Sequence, residues 1–598
     1  MSRRHGAAGW LTCGVALVLA AALAGCGVAD SGGPTVDGTP HGILGSEHGE
    51  PERLPPLRPE DASDSKQTVE MYFQAASSEW GSLGEYVKPF LSEPARRELR
   101  GVSRIRVVRL TKVSDPEIVK ERLHRVRVKG QIVGELTSNG ILLPAHGSYQ
   151  YTFQLHYTRI GGGTEAWLID NPPPGFVLST AGIEQRFDAL PVYYSNPGLT
   201  ASLVPDIRYL PRSVERGKQR NLLVDWLLQS ASPWLGPVAA RTFPEGTQRR
   251  GNVYVVHGRD VVVNLSSEAE PYDRKDLLLA QLLWTLRPRI SGGLQLRIEG
   301  RPISVNGRTT QPRDTYLGFD AVQSLPSQSL AYYVADGKVQ PLPSSGVPKR
   351  LPPVLRGANG DQNRSVRSAA LSRSGDIAAL VRSVGGRMSL WVGRAGASSG
   401  EAAYRQVSGL PSKQMGRPVW VGSSSRELLL VVAAGRVYEV DLGDLRARKV
   451  HLAGESGTVT ALTVAPDGFR AALVVDHRVY VAAVPQKPEL SVTAPWLVTD
   501  RISAVDVAWG REGQLVVAGT GPSESGLWQV SLDGLQLTSM PTPVAGVPEH
   551  VAGYPRLETR GRVLVEEHGR VYEIYSTTAA APGDVQSPPE GGMPFFAT

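Results

Sequence analysis

One hexapeptide of this chain is written almost twice. Gly435-Arg436-Val437-Tyr438-Glu439-Val440 returns as Gly569-Arg570-Val571-Tyr572-Glu573-Ile574, and Arg478-Val479-Tyr480-Val481 is a third copy. Leu390-Trp391-Val392 and Leu527-Trp528-Gln529-Val530 are aromatic variants, and Gly337-Lys338-Val339-Gln340 reads as a degraded first copy. The central positions 340, 391, 438, 480, 528 and 572 advance in steps of 42 to 51 residues. A turn and an apolar strand precede several copies, as in Pro466-Asp467-Gly468 before Ala471–Val475 and Ser374-Gly375-Asp376 before Ile377–Val381. A period in the forties with several short strands per unit is the signature of β-propeller blades, which bury their faces only against one another. Residues 315–578 are therefore predicted to form an all-β propeller of about six blades, with five or seven left open. The strand-like period excludes a stack of helical repeats. Residues 579–598 carry no such pattern and are expected to be a disordered tail.

The other end of the chain is as constrained. Arg3, Arg4 and His5 precede an apolar or small stretch from Ala7 to Ala24, followed by Leu23-Ala24-Gly25-Cys26. A basic start, an apolar centre and small residues at the cut describe an export signal rather than a folded element. Leu-Ala-Gly-Cys matches the bacterial lipobox, so residues 1–25 are expected to be removed between Gly25 and Cys26, and Cys26 to carry lipid. The residues after Ser2-Arg3-Arg4 are not bulky and apolar, which favours the general secretory route over the twin-Arg route. Only Cys13 and Cys26 are present, and Cys13 leaves with the signal, so no internal disulfide can form. Two acyl chains hold a protein to a bilayer where one myristoyl chain does not. The expected location is the cell membrane, lipid-anchored on its extracytoplasmic face. Residues 26–64, rich in Gly, Pro, Ser and acids, read as a flexible tether; His41 and His48 within it lack a third ligand and read as polar tether residues.

Between tether and propeller the patterns are mixed. In 65–200, Val69, Tyr72, Phe73 and Ala76 recur at helical spacing, and Pro94–Leu99 reads as a second helix. Ile105–Leu110 and Val126–Val133 read as strands. Tyr149, Tyr151, Phe153, Leu155 and Tyr157 then alternate with polar residues, a strand with one buried face. Gly161-Gly162-Gly163 is placed as a hairpin turn. Helices followed by long strands make an α+β layer, similar in pattern to an NTF2-like cone. In 203–310 the order is helix (Leu222, Leu223, Trp226, Leu227), hairpin (Val253 to Leu265), helix (Asp276–Leu286) and hairpin (Leu294 to Val305), a second α+β domain. The fold class is thus multidomain, two α+β domains followed by the propeller.

The net charge of +7 is mild for 598 residues and is no nucleic-acid footprint. No phosphate-binding loop, H-E-x-x-H or C-x-x-C occurs. Gly521-Pro522-Ser523-Glu524-Ser525-Gly526 misses the G-x-S-x-G elbow by one residue and is placed as an interblade loop. The expectation is no catalytic site, no metal and no cofactor.

With these parts in order, the second domain, carrying Leu222-Leu223, Phe243-Pro244-Glu245-Gly246-Thr247, Val262-Val263-Asn264-Leu265-Ser266 and Gln281-Leu282-Leu283-Trp284-Thr285-Leu286, resembles the GerMN (germane) module. The whole arrangement resembles the LpqB lipoprotein family. That resemblance implies a non-enzymatic accessory protein that binds the extracytoplasmic domain of a sensor histidine kinase of the MtrA/MtrB two-component type. It would tune that kinase to envelope state, growth and division. An envelope glycan-binding or cell-wall-processing lipoprotein is the alternative.

Overall fold

Helix α1, Ser65–Ala76, opens the first domain of the computed structural model, and its start is local chemistry: Asp64 caps it by accepting from Gln67 N at 2.8 Å. Residues 57–598 are described, apart from 79–84, 99–104, 328, 344–350, 356–362, 397–401, 423–427, 455–456, 488, 544, 558–560, 576–577 and 583–586. The expected tether runs too far. Pro59 is buried in a short 3-10 turn, Pro59–Asp61, and Leu57 and Ala62 pack on the first domain's core. This apolar trio has a surface to bury against, so residues 57–64 belong to the domain.

Helix α2 spans Glu93–Glu98. Strands β1 (Ile105–Val113), β2 (Glu117–Lys120), β3 (Leu123–Leu136), β4 (Leu142–Arg159), β5 (Glu165–Ile169) and β6 (Phe176–Ser179) follow, then helix α3, Thr180–Arg186. They form one sheet of order β5-β4-β3-β1-β6, with β2 beside β3; β1 and β6 pair in parallel. The four apolar positions chosen on α1 are all buried, and Tyr72 and Phe73 meet Phe153 edge-on at 5.8 and 5.9 Å. Phe153 and Leu155 are buried while Tyr151 and Tyr157 are half-buried. The three glycines join β4 to β5, which pair antiparallel.

The expected break between 200 and 203 falls inside a hairpin. Strand β7, Phe187–Ser195, pairs with β8, Leu203–Pro211, along its whole length. Leu190, Val192, Tyr193 and Tyr194 join the second domain's core. Cross-strand pairing joins the two sides of that break, so the second domain takes both strands. Helix α4 (Arg216–Leu227), β9 (Tyr254–Val256), β10 (Asp260–Leu265), α5 (Lys275–Leu286), β11 (Leu294–Ile298), β12 (Arg301–Pro302) and β13 (Thr310–Gln311) complete it. Strands β10 and β11 are parallel across α5, the geometry a crossover helix imposes.

Residues 312–330 are a connection, with the first propeller strand, β14 (Ala331–Ala335), starting later than expected. Six sheets of three or four strands make the blades. In blade 1, β14 pairs with β15 (Lys338–Pro341) on one side and with Gly592–Phe596 on the other. The expected disordered tail is therefore corrected: its last residues supply the innermost strand of blade 1, with Phe595 and Phe596 buried and Phe595 stacked on Tyr332 at 5.7 Å. Blades 2 to 6 span 366–406, 419–449, 459–499, 503–540 and 550–580, each an antiparallel four-stranded sheet. Gly521–Gly526 is also corrected, since it joins the second and third strands within blade 5 rather than two blades. The Tyr438, Tyr480 and Tyr572 positions are equivalent; Tyr480 is buried and the other two half-buried.

Candidate functional site

Leu23, Ala24, Gly25 and Cys26 lie outside the described residues, as do His41 and His48. Within them, the helices are too short or too polar to cross a membrane, and no group of three or more His, Cys, Asp or Glu is placed to hold a metal.

Blade 5 is where all three domains meet. Its turn between third and fourth strands, around Asp533, reaches into the first domain: Leu535 is 1% exposed and sits in that domain's apolar cluster with Val108, Phe187 and Tyr209. The Arg109 guanidinium donates to the carbonyls of Gly534 and Leu535 at 2.9 and 2.7 Å. Burial, then the nearby Arg501 charge, lowers its pKa to about 10. The Tyr209 hydroxyl donates to Asp533 at 2.6 Å. A second contact from the second domain, beside that of Tyr209 on β8, is fully buried. The Tyr193 hydroxyl donates to Glu512 at 2.8 Å, and Arg470 donates to the Glu512 carbonyl at 3.1 Å and to Asp467 at 2.6 Å. Arg470 also lies 5.0 Å over the Trp509 ring. Burial, then the Asp320 carboxylate, pushes Glu512 well above the usual carboxyl range; burial also raises Asp320. The two acids thus meet in a buried site that disfavours two negative charges side by side. None of this was legible from spacing: Tyr193 and Glu512 are 319 positions apart.

The propeller holds two cavities of unlike character. The late residues of the inner strands and the Leu325 connection line a cavity of about 110 Å³, on the side of the Glu512 turn. It is walled by Trp420, Trp509, Tyr554 and Phe596, with Arg373 and Arg417. A larger polar cavity of about 620 Å³ lies where blades 1, 2 and 6 adjoin, lined by Val366 and His550 with Asp336, Arg367, Glu566 and Glu590. There Glu566 accepts from Met593 N at 2.6 Å and Glu590 pairs with Arg570 at 3.0 Å. Below His550, Asp506 accepts from the backbone N–H groups of Val507 and Val551 at 2.8 and 2.9 Å. Burial pushes the Asp506 carboxyl up, but His550, Arg417 and Val551 N–H together hold it below its usual range. The larger cavity offers acceptors to hydroxyl- or amine-bearing ligands.

One pair that sequence reasoning missed has catalytic composition. Ser65 Oγ lies 2.9 Å from His124 Nδ1, and burial lowers the imidazole's pKa. Ser65 is 0% exposed, which puts the hydroxyl out of a substrate's reach; the pair ties α1 to β3.

Two family models match the chain: the N-terminal domain of lipoprotein LpqB over residues 58–184, and the lipoprotein LpqB beta-propeller domain over 349–584. Together they span more than half of it. Lipoprotein LpqB of Rhodococcus jostii is 27% identical over 459 residues, covering 69% of this chain and 70% of the relative. That of Streptomyces coelicolor is 27% identical over 475 residues, 72% of each. That of Mycolicibacterium smegmatis is 25% identical over 433 residues, 69% and 71%. Among solved structures, TolB from Acinetobacter baumannii aligns with a TM-score of 0.30 at 17% identity, over 45% of this chain and 67% of that one.

Proposed function

Because the chain belongs to the LpqB lipoprotein family, we propose that it is a non-catalytic accessory protein, lipid-anchored through Cys26 on the extracytoplasmic face, that binds a membrane sensor kinase of the MtrA/MtrB type and tunes its output. The observation that carries this reading is the joining of both LpqB domains to a Leu23–Cys26 lipobox in one chain. Confinement to the membrane surface raises the effective concentration toward membrane neighbours, so a modest intrinsic affinity suffices for a regulator. The body suits that role, since its three domains are pinned to one another at blade 5 and would present a partner with one fixed surface.

Crosslinking in intact cells, followed by identification of the captured kinase, is the direct test, with phosphorylation of the cognate response regulator measured in a deletion strain. Capture of a kinase ectodomain and altered phosphorylation support the reading; no capture and unchanged phosphorylation overturn it. A second reading, wall-glycan binding, is favoured by the acceptor-lined cavity of about 620 Å³ where blades 1, 2 and 6 adjoin. Co-sedimentation of the delipidated mature chain with peptidoglycan, lost on Glu566→Gln, would support that reading instead.

A further inference from the structure

The chain's positive charge is gathered in one domain. Residues 187–311 hold 16 Lys and Arg against 11 Asp and Glu, so this domain carries +5 of the chain's +7. Much of the surplus is drawn together by the fold. Arg212, just past β8, and Arg289, just before β11, both bind Asp188 of β7; the Arg212 Nε to Asp188 distance is 2.8 Å. Arg289 also donates to Gln219 on α4 at 2.6 Å, which brings it against the first turns of that helix. Arg216, Lys218 and Arg220 project from those turns. Lys218 is 74% exposed and reaches Glu215 only at 4.0 Å. Arg216 is exposed, and neither it nor Arg220 has a hydrogen-bonded or ionic partner among the described residues. Five cations thus face two carboxylates, Asp188 and Glu215. The cations feel one another: after burial, Arg216 further lowers the pKa of Arg220, and burial lowers Arg289 against the pull of Asp188, with Arg216 and Arg212 adding to the lowering.

A folded protein has no need to hold surplus cations side by side, because their mutual repulsion costs stability. An external anionic surface offsets that cost. We infer that the Arg212–Arg216–Lys218–Arg220 face of the second domain, with the nearly buried Arg289 behind it, docks on the anionic phospholipid headgroups of the bilayer to which the chain is tethered. The inference rests on the lipid-anchor reading of Cys26. Thirty residues separate Cys26 from Leu57, and at full extension they span no more than about 110 Å, so the body cannot leave the neighbourhood of the bilayer. Each basic residue brought within a Debye length of an anionic surface strengthens binding about fivefold, and salt weakens it. Docking would fix the body's orientation on the membrane and leave the partner-facing surface in a defined direction.

The test uses the mature chain from residue 26 with Cys26→Ser, which has no lipid, so its outcome is independent of the anchor. It is sedimented with phosphatidylglycerol-containing vesicles and with pure phosphatidylcholine vesicles. Binding to the first and not the second, falling steeply with salt, is expected. Arg216→Glu with Lys218→Glu is expected to weaken it at least tenfold. Arg301→Glu with Arg308→Glu, the same charge change on two other exposed cations of this domain, is expected to cost much less; circular dichroism checks that both pairs fold. Equal binding to both vesicles, or equal loss from both pairs of reversals, overturns the inference. So does displacement by low concentrations of inorganic phosphate, which would mark a discrete phosphate site. The Cys26 reading is tested separately, by membrane fractionation of Cys26→Ala.

Discussion

Leu535→Ala should unfasten the first domain from the propeller. The residue stands on a blade 5 turn yet is buried in another domain's core, so its removal opens a cavity at the junction of the two domains. Truncating a buried Leu to Ala costs about 2–5 kcal/mol, with the higher values where the surroundings cannot collapse into the cavity. Here they cannot. Arg109 grips the carbonyls of Gly534 and Leu535, and Tyr209 grips Asp533. Gly534 has φ +72°, and a Cβ there would lie 2.0 Å from the Val498 carbonyl oxygen, so the turn has no room to shift. A cost in the upper half of that range, about 3.5–5 kcal/mol, follows. Urea unfolding of the delipidated mature chain, followed by both fluorescence and limited proteolysis, reads the effect. The variant should show the first domain unfolding ahead of the propeller. A single transition at the wild-type midpoint would refute the reasoning, because a side chain holding two domains together cannot be lost without cost.

Glu512→Gln should gain stability relative to wild type as pH rises. Glu512 is raised by burial and by Asp320 above its ordinary 4.5, so the folded state keeps a proton that the unfolded state releases. That contribution is fully present below about pH 4.5 and is lost as pH rises through the folded-state value; parallel pH profiles in denaturation would sink the idea. Tyr480→Ala, the buried member of the repeated tyrosines, should cost the propeller about 3–5 kcal/mol, and a wild-type midpoint in urea would contradict this. Removing residues 592–598 takes the inner strand from blade 1 and should broaden the propeller's unfolding transition, as read by calorimetry; an unaltered transition would mean that the ring does not depend on this closure. Cys26→Ala should release the protein from the membrane fraction or leave its signal uncleaved, and normal cleavage with retained membrane attachment would end the lipoprotein reading.

What was legible is what neighbours in sequence encode. The lipobox is four consecutive residues behind an apolar run. The blade repeats are legible because each blade's hairpins are local, so Val437-Tyr438 and Val571-Tyr572 announce the same strand. The α1 face and the β4 alternation were legible for the same reason. The closing strand was not. Gly592-Met593-Pro594-Phe595-Phe596 is short, interrupted by Pro and flanked by Gly, and its partner lies some 260 residues earlier. The boundary between the first two domains was misplaced because the pairing of β7 with β8 across residues 196–202 joins the two sides of it. Charge misled in another way: +7 over the whole chain looks diffuse, and only the grouping into domains shows where it sits.

By itself the sequence determined that mixed helix-and-strand parts precede a repeating all-β unit, and it carries the expectation of an export signal with a cysteine at its cut. These follow from periodicity and from consecutive motifs, which need no knowledge of the rest of the chain. The tertiary structure alone decided how the ring closes, that blade 5 pins all three domains, that Glu512 and Asp320 share a buried site, and that five cations are drawn together. Each of these joins residues tens to hundreds of positions apart. No local pattern records such a meeting, because its free energy comes from burial and pairing that exist only once the elements are packed.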